Sequence, residues 1–147
     1  RVRCSATAID ICKKALKIAK FNAKMHHLKN NINFINIDID KIHDNKYDFI
    51  ISNPPYIKKL SLRRLDQSVK LFEPHIALEA GIDGLREIKK LINKSKRLLK
   101  INGKLVFEIG KCQCEITKKI LKENGYYINK VIKDISAVPR IIISTKK

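Results

Sequence analysis

Two consecutive prolines, Pro54 and Pro55, follow closely on the apolar run Phe49-Ile50-Ile51 in the stretch "YDFIISNPPYI" (47–57). Contiguous apolar residues read as a strand covered on both faces, as in the parallel sheet of an α/β protein. Proline has a fixed φ and gives no N–H to a ladder, so the strand must stop there. Each proline also pushes its predecessor toward extended geometry. Asn53 and Pro54 are thereby held rigid, and both present oxygen acceptors. Together they can hold an NH₂ group by its two hydrogens, while Tyr56 supplies a flat face for stacking. A plain turn would favour Gly, Asp or Asn after the first proline, not Pro-Tyr. The geometry suits a planar –NH₂ whose lone pair is delocalised, aimed at an electrophile that needs no strong general base.

The rest of the chain alternates strand-like and helical periods. "CSATAID" (4–10) reads as a strand. From Ile11 the period turns helical, with Ile11, Ala15, Ile18, Phe21 and Met25 on one face, and Asn30-Asn31 as the stop. "INFINID" (32–38) and 47–53 are the next strands. Residues 57–82 form a long irregular segment with one short helix near 61–70, and a connection of that length implies a use. Asp83 reads as an N-cap, opening a helix that runs through Leu99 to a stop at Asn102-Gly103. A strand over 104–110, a helix over 113–123 stopped by Asn124-Gly125, and strands over 127–134 and 140–145 complete the pattern. Pro139 suits the first position of the last strand. The alternation predicts an α/β fold, a Rossmann-like sheet with helices on both faces, in one domain over 1–147.

In open α/β sheets, ligands bind outside the carboxyl ends of the strands. Asp10, Asp38 and Asn53 end the first three strands, and Glu108 lies near the end of the fourth. An acidic residue at such a strand end accepts hydrogen bonds from ribose hydroxyls, which is the reading for Asp10. Capping of the helix that follows is the competing role.

Composition narrows the setting. Of the 147 residues, 32 are Lys or Arg and 14 Asp or Glu, giving a net charge of +18. Such a balance favours weak contact with nucleic acid or the ribosome through a basic surface. A/T-rich coding, which favours Lys, Ile and Asn, accounts for it equally well. No apolar run approaches the roughly 20 residues of a membrane span, and "RVRCSATAID" has no secretory h-region. The expected location is the cytoplasm. Cys4, Cys12, Cys112 and Cys114, like the four histidines, show no metal-ligand spacing, so no metal site is expected.

With these residues in hand, the chain resembles the peptide chain release factor glutamine methyltransferases (HemK type), enzymes of the class I S-adenosylmethionine-dependent fold. The resemblance rests on "AIDICKKALKIAKFNA" (8–23), "FINID" (34–38), "YDFIISNPPYI" (47–57), "FEPHIALEAGIDGL" (72–85), "NGKLVFEIG" (102–110) with Gln113, and "VIKDIS" (131–136). It implies S-adenosylmethionine as cofactor, with Asp10 on its ribose and Asp38 and Ile39 beside its adenine. Asn53 also borders that cofactor site. It implies a catalytic Asn53-Pro54-Pro55-Tyr56, in which Asn53 and the Pro54 carbonyl hold a glutamine amide under Tyr56. Glu73 and Pro74 would flank the substrate entrance, and the partners would be class I release factors. The family's N-terminal helical domain, first strand and Gly-rich loop have no counterpart in these residues, so the expectation is a C-terminal part of a longer enzyme. "DISAVPR" keeps Asp134 and Arg140 of the family pattern but lacks its glycine, and Ile39 replaces an aromatic residue. Two other readings stand beside this one. The first is a nucleic-acid amino-group methyltransferase, in which Tyr56 would stack on a flipped base. The second is an inactive methyltransferase-like fragment or binding module.

Overall fold

The computed structural model describes residues 4–43, 47–55 and 84–147. Tyr56, Glu73, Pro74, Asp83 and the expected helix near 61–70 lie outside the described residues. The chain forms two compact units, residues 1–43 and 44–147.

The first unit is a βαβ element. β1 (Ala6–Asp10) and β2 (Ile32–Asn36) pair in parallel, from Ala6 opposite Ile32 to Asp10 opposite Asn36. Parallel strands need a crossover, and α1 (Lys13–Met25) supplies it, packing on both. Its inner stripe buries Leu16 and Ala23, and Lys20 lies over the Phe34 ring at 5.9 Å. The apolar face expected at Ile18, Phe21 and Met25 is solvent-exposed instead, as is Ile11, which precedes the helix. A sheet of two strands covers only a narrow stripe of a helix, and here Leu16 and Ala23 occupy it.

The helix also ends earlier than Asn30-Asn31 suggests. His27 adopts a left-handed φ of 58°. The His27 N–H then donates to the Lys24 carbonyl at 3.1 Å and the Leu28 N–H to the Ala23 carbonyl at 2.8 Å. That pair of bonds is a Schellman end, with histidine where glycine is usual.

The second unit holds a four-stranded sheet of order β3-β4-β6-β5, formed by β3 (Tyr47–Ser52), β4 (Leu99–Glu108), β5 (Tyr126–Lys133) and β6 (Pro139–Lys146). β3 and β4 are parallel, and β6 runs antiparallel to both β4 and β5. β3, β4 and β5 therefore point the same way and share one carboxyl edge. α2 (Arg86–Leu98) packs on β4, and α3 (Cys114–Glu123) packs on β5, β6 and α2. Ile88, Ile92, Leu105, Phe107, Leu121 and Ile142 are essentially inaccessible and form the core. Ser95 and Tyr126 satisfy each other's hydroxyls inside it at 2.8 Å.

Two expectations change here. Asn102-Gly103 does not stop a helix. α2 ends at Leu98 and β4 begins at once, so the pair sits inside the strand. The register jumps between Tyr47 opposite Leu99 and Phe49 opposite Lys104, and Asn102 takes a φ of 63° at this bulge. A Cβ on Gly103 would lie 2.9 Å from the Lys100 carbonyl oxygen and 3.1 Å from that of Tyr47, so the bulge needs glycine. The run Phe49-Ile50-Ile51 is also not covered on both faces. Ile50 is half-buried, but Phe49 is 58% and Ile51 79% exposed. β3 is one of the two edge strands of its sheet and lies at the margin of the core.

Candidate functional site

The carboxyl edge of the first unit carries Asp10 and, two residues beyond the end of β2, Asp38. β2 stops at Asn36 rather than at Asp38 because Asn36 is used as a staple. Its Nδ2 donates to the Asp10 carbonyl at 2.8 Å and to the Ile11 carbonyl at 2.9 Å. These carbonyls leave the β1 ladder where the chain turns toward α1, so a side-chain donor replaces the lost strand partner. Nothing but a polar residue closing an apolar run signalled Asn36 in the sequence.

Asp10 is half-buried, and its Oδ1 accepts the Cys12 N–H at 2.7 Å. Cys12, not Asp10, is the N-cap of α1. Asp10 thus shapes the turn ahead of the helix with one oxygen, and its Oδ2 makes no hydrogen bond among the described residues. Asp38 caps the short 3₁₀ turn Ile39–Lys41 through Oδ1, which accepts the Asp40 N–H at 2.9 Å. Ile39, the first residue of that turn, is half-buried. A carboxylate oxygen at a strand end can accept hydrogen bonds from a ribose diol, and a half-buried apolar side chain on the same edge can border a base.

The carboxyl edge of the second unit carries the proline stretch. Ser52 is the last residue of β3 and pairs with Phe107 of β4. Pro54 is buried and Pro55 half-buried, while Asn53 between strand and prolines is exposed. Burial of the Pro54 ring fixes the backbone on both sides of it, and the Asn53 side chain makes no hydrogen bond among the described residues. The structure thus presents Asn53 to solvent at the end of a strand.

Next to it, the turn after β4 is pinned from within. Gln113 is buried, its Oε1 accepting the Gly110 N–H at 2.8 Å and its Nε2 donating to the Gly84 carbonyl at 2.9 Å. Buried amides of this kind cost stability unless satisfied. Gln113 entered the sequence reading as a motif residue without a role, and the tie between Gly110 and Gly84 is invisible there. Glu108 is half-buried at the end of β4. Farther along the same edge, Asp134 accepts Arg140 Nε at 2.8 Å, and this bond, with the Val138 N–H, holds its carboxyl below the usual aspartate range.

Among the described residues no group of three or more His, Cys, Asp or Glu is placed to hold a metal ion. No helix among them is long and apolar enough to cross a membrane.

A family model described as a methyltransferase domain matches residues 1–146. The release factor glutamine methyltransferase of Fusobacterium nucleatum is 40% identical over 146 residues, covering 97% of this chain and 40% of that protein. The ribosomal protein uL3 glutamine methyltransferase of Francisella tularensis is 39% identical over 108 residues, covering 73% of this chain and 34% of that protein. The chain therefore spans well under half the length of these relatives. Among solved structures, a methyltransferase from Pyrococcus furiosus superposes with a TM-score of 0.69 at 19% identity, over 97% of this chain and 63% of that one. The likeness to release factor glutamine methyltransferases expected from the motifs is borne out, and so is the class I α/β fold. The chain belongs to the methyltransferase-domain family, whose methyl donor is S-adenosylmethionine.

Proposed function

We propose that this chain is the catalytic domain of an enzyme that methylates the side-chain amide nitrogen of glutamine in the Gly-Gly-Gln loop of class I release factors. The observation that carries the reading is Asn53: exposed, without a side-chain hydrogen bond among the described residues, at the end of β3, directly before a buried proline. The 40% identity to a release factor glutamine methyltransferase supports the substrate.

The residues present fit the cofactor, since Asp10 keeps one carboxylate oxygen available at a strand end with Asp38 and Ile39 on the same edge. Asp10 would hold the ribose hydroxyls, and Asp38 and Ile39 would border the adenine. S-adenosylmethionine, when bound, supplies an electrophilic methyl on a sulfonium, whose C–S electron pair returns to sulfur on transfer. The amide nitrogen is a poor nucleophile because its lone pair is delocalised into the carbonyl. Asn53 Oδ1 and the Pro54 carbonyl accept its two N–H bonds, which aims the lone pair and strengthens as positive charge develops on nitrogen. One N–H proton leaves to solvent and the other stays in the clamp. Pro55 keeps Pro54 extended, and Tyr56, next in the chain, would pack over the amide plane. Glu73 and Pro74 would flank the entrance. The location that goes with this substrate is the cytoplasm.

A nucleic-acid amino group would suit the same clamp. Apart from net charge, nothing among the described residues favours nucleic-acid contact.

The test is methyl transfer to a purified class I release factor by the full gene product, read by peptide mass spectrometry. The expected result is one methyl on the loop glutamine, with Asn53→Ala reducing kcat by about a hundredfold or more. Methylation of RNA or DNA in place of the release factor would overturn the reading.

A further inference from the structure

Ile135 is the most exposed large apolar side chain among the described residues, at 107% relative accessibility. It sits at the tip of the β5–β6 hairpin, and that tip is rigidly built. Asp134 Oδ1 accepts the Ser136 and Val138 N–H groups at 2.9 and 3.0 Å, and Oδ2 accepts Arg140 Nε at 2.8 Å. The Asp134 N–H donates to the Val138 carbonyl and the Ala137 N–H to the Asp134 carbonyl, both at 2.9 Å, with Ala137 at a φ of 60°. Five bonds thus hold the turn in a form that leaves an isoleucine in water.

The strand order places this tip functionally. β5 runs parallel to β3, so the residues after Lys133 emerge on the same edge as Asn53. Three strand spacings of about 4.8 Å across the sheet, and three residues of about 3.4 Å beyond the level of Asn53, put Ile135 roughly 17 Å from Asn53. That is too far for any part of a lone amide, but it equals about five residues of extended chain. Lys111, just past β4, and Lys133, at the end of β5, are exposed on this edge and have no hydrogen-bond or ion-pair partner among the described residues. The carboxylate of Asp134 is meanwhile consumed by Arg140. The edge thus offers an apolar knob flanked by unpaired cations.

We propose that the Asp134–Val138 tip docks the protein substrate: Ile135 enters an apolar recess on the release factor's target loop, about five residues from the methylated glutamine, and Lys133 faces an acidic group there. The proposal rests on the substrate reading above. It separates recognition of the folded partner, at the hairpin, from capture of the amide, at Asn53.

The experiment compares wild type, Ile135→Ser, Ile135→Leu and Lys133→Glu, as full gene products, on an intact release factor and on a pentapeptide containing Gly-Gly-Gln. Removal of a buried isoleucine from an interface predicts a KM for the intact factor about tenfold higher in I135S. Its kcat should be unchanged, its pentapeptide kinetics wild-type, and I135L should restore the KM. K133E should raise the same KM and lose the effect at high salt. I135S matching wild type on the intact factor overturns the docking while leaving the substrate standing. An equal loss on the pentapeptide also overturns it, because the tip would then act on the site or the fold. A wild type that leaves the release factor unmethylated overturns the substrate reading and this proposal with it.

Discussion

In the second unit, Leu105 and Phe107 of β4, Ile142 of β6 and Leu121 of α3 are all but inaccessible, and two helices share the burial. In the first unit, the buried apolar side chains among the described residues are Leu16 and Ala23, both on one helix. The two units use the same local grammar of parallel strands crossed by a helix. They differ in how many strands each sheet has to offer, four against two. A helix on four strands and a neighbouring helix can bury a whole stripe, whereas a helix on two strands leaves Ile18, Phe21 and Met25 in water. Asp10 and Asp38, proposed to hold the cofactor, lie on the shallower unit, and Asn53, the proposed amide clamp, on the deeper one. Elements with few buried contacts open at lower free energy, so the edge carrying Asp10 and Asp38 should be the more mobile.

The largest effect that could break this comparison is a paired core truncation. Phe107→Ala should destabilise by about 3–5 kcal/mol, and Leu16→Ala by about 2 kcal/mol, because Leu16 is a smaller side chain with exposed neighbours on its helix. Urea unfolding measures both, and equal costs would mean that the first unit is packed as deeply as the second. Next, Asn36→Ala removes the staple between β1 and β2. At about 1 kcal/mol for hydrogen bonds of this kind, amide exchange in Ala6–Asp10 should quicken several-fold while that of β4 and β6 stays unchanged. A uniform change across both units would show that they open together.

A smaller effect is expected at the outer face of α1. Ile18→Ser should change stability by no more than about 0.5 kcal/mol. A loss several times larger in thermal unfolding would reveal that this face is covered. The smallest effect concerns pH. Asp134 has its carboxyl pKa lowered in the fold, first by Arg140 and then by the Val138 N–H, from an ordinary 3.8. Its contribution to stability is therefore complete above that ordinary value and is lost as pH falls through the lower folded value. Melting curves in acid should show this slope for wild type and not for Asp134→Asn. An identical slope in both would move the acid sensitivity elsewhere.

How much of this was legible depended on whether the deciding force was local. The stop of α3 at Asn124-Gly125 was readable because Gly125 takes a φ of 80°, which only glycine adopts without strain, and Asn124 Nδ2 returns to the Ile120 carbonyl four residues back. Pro139 was placed correctly at the start of β6 for a reason equally local, its missing N–H. The same Asn-Gly signal failed at 102–103, since a helix stop and a strand bulge need the same backbone freedom, and the close approach of the Tyr47 carbonyl, 56 residues earlier, made it a bulge. His27 carried no signal at all, because its left-handed turn is held by bonds to Lys24 and Ala23 that any residue's backbone could make.

The sequence by itself determined the alternation of strand and helix, the halt of β3 before Pro54, and the presence of Asp10 and Asn53 at strand ends. Those are consequences of period, of fixed φ and of a missing donor, all of which act within a few residues. Tertiary structure alone decided that Asn36 ties β1 to β2, that Gln113 joins Gly110 to Gly84, and that the hairpin tip with Ile135 shares an edge with Asn53. Each of these joins residues from about 25 to more than 80 positions apart, and only strand order and the need to satisfy buried backbone groups bring such residues together.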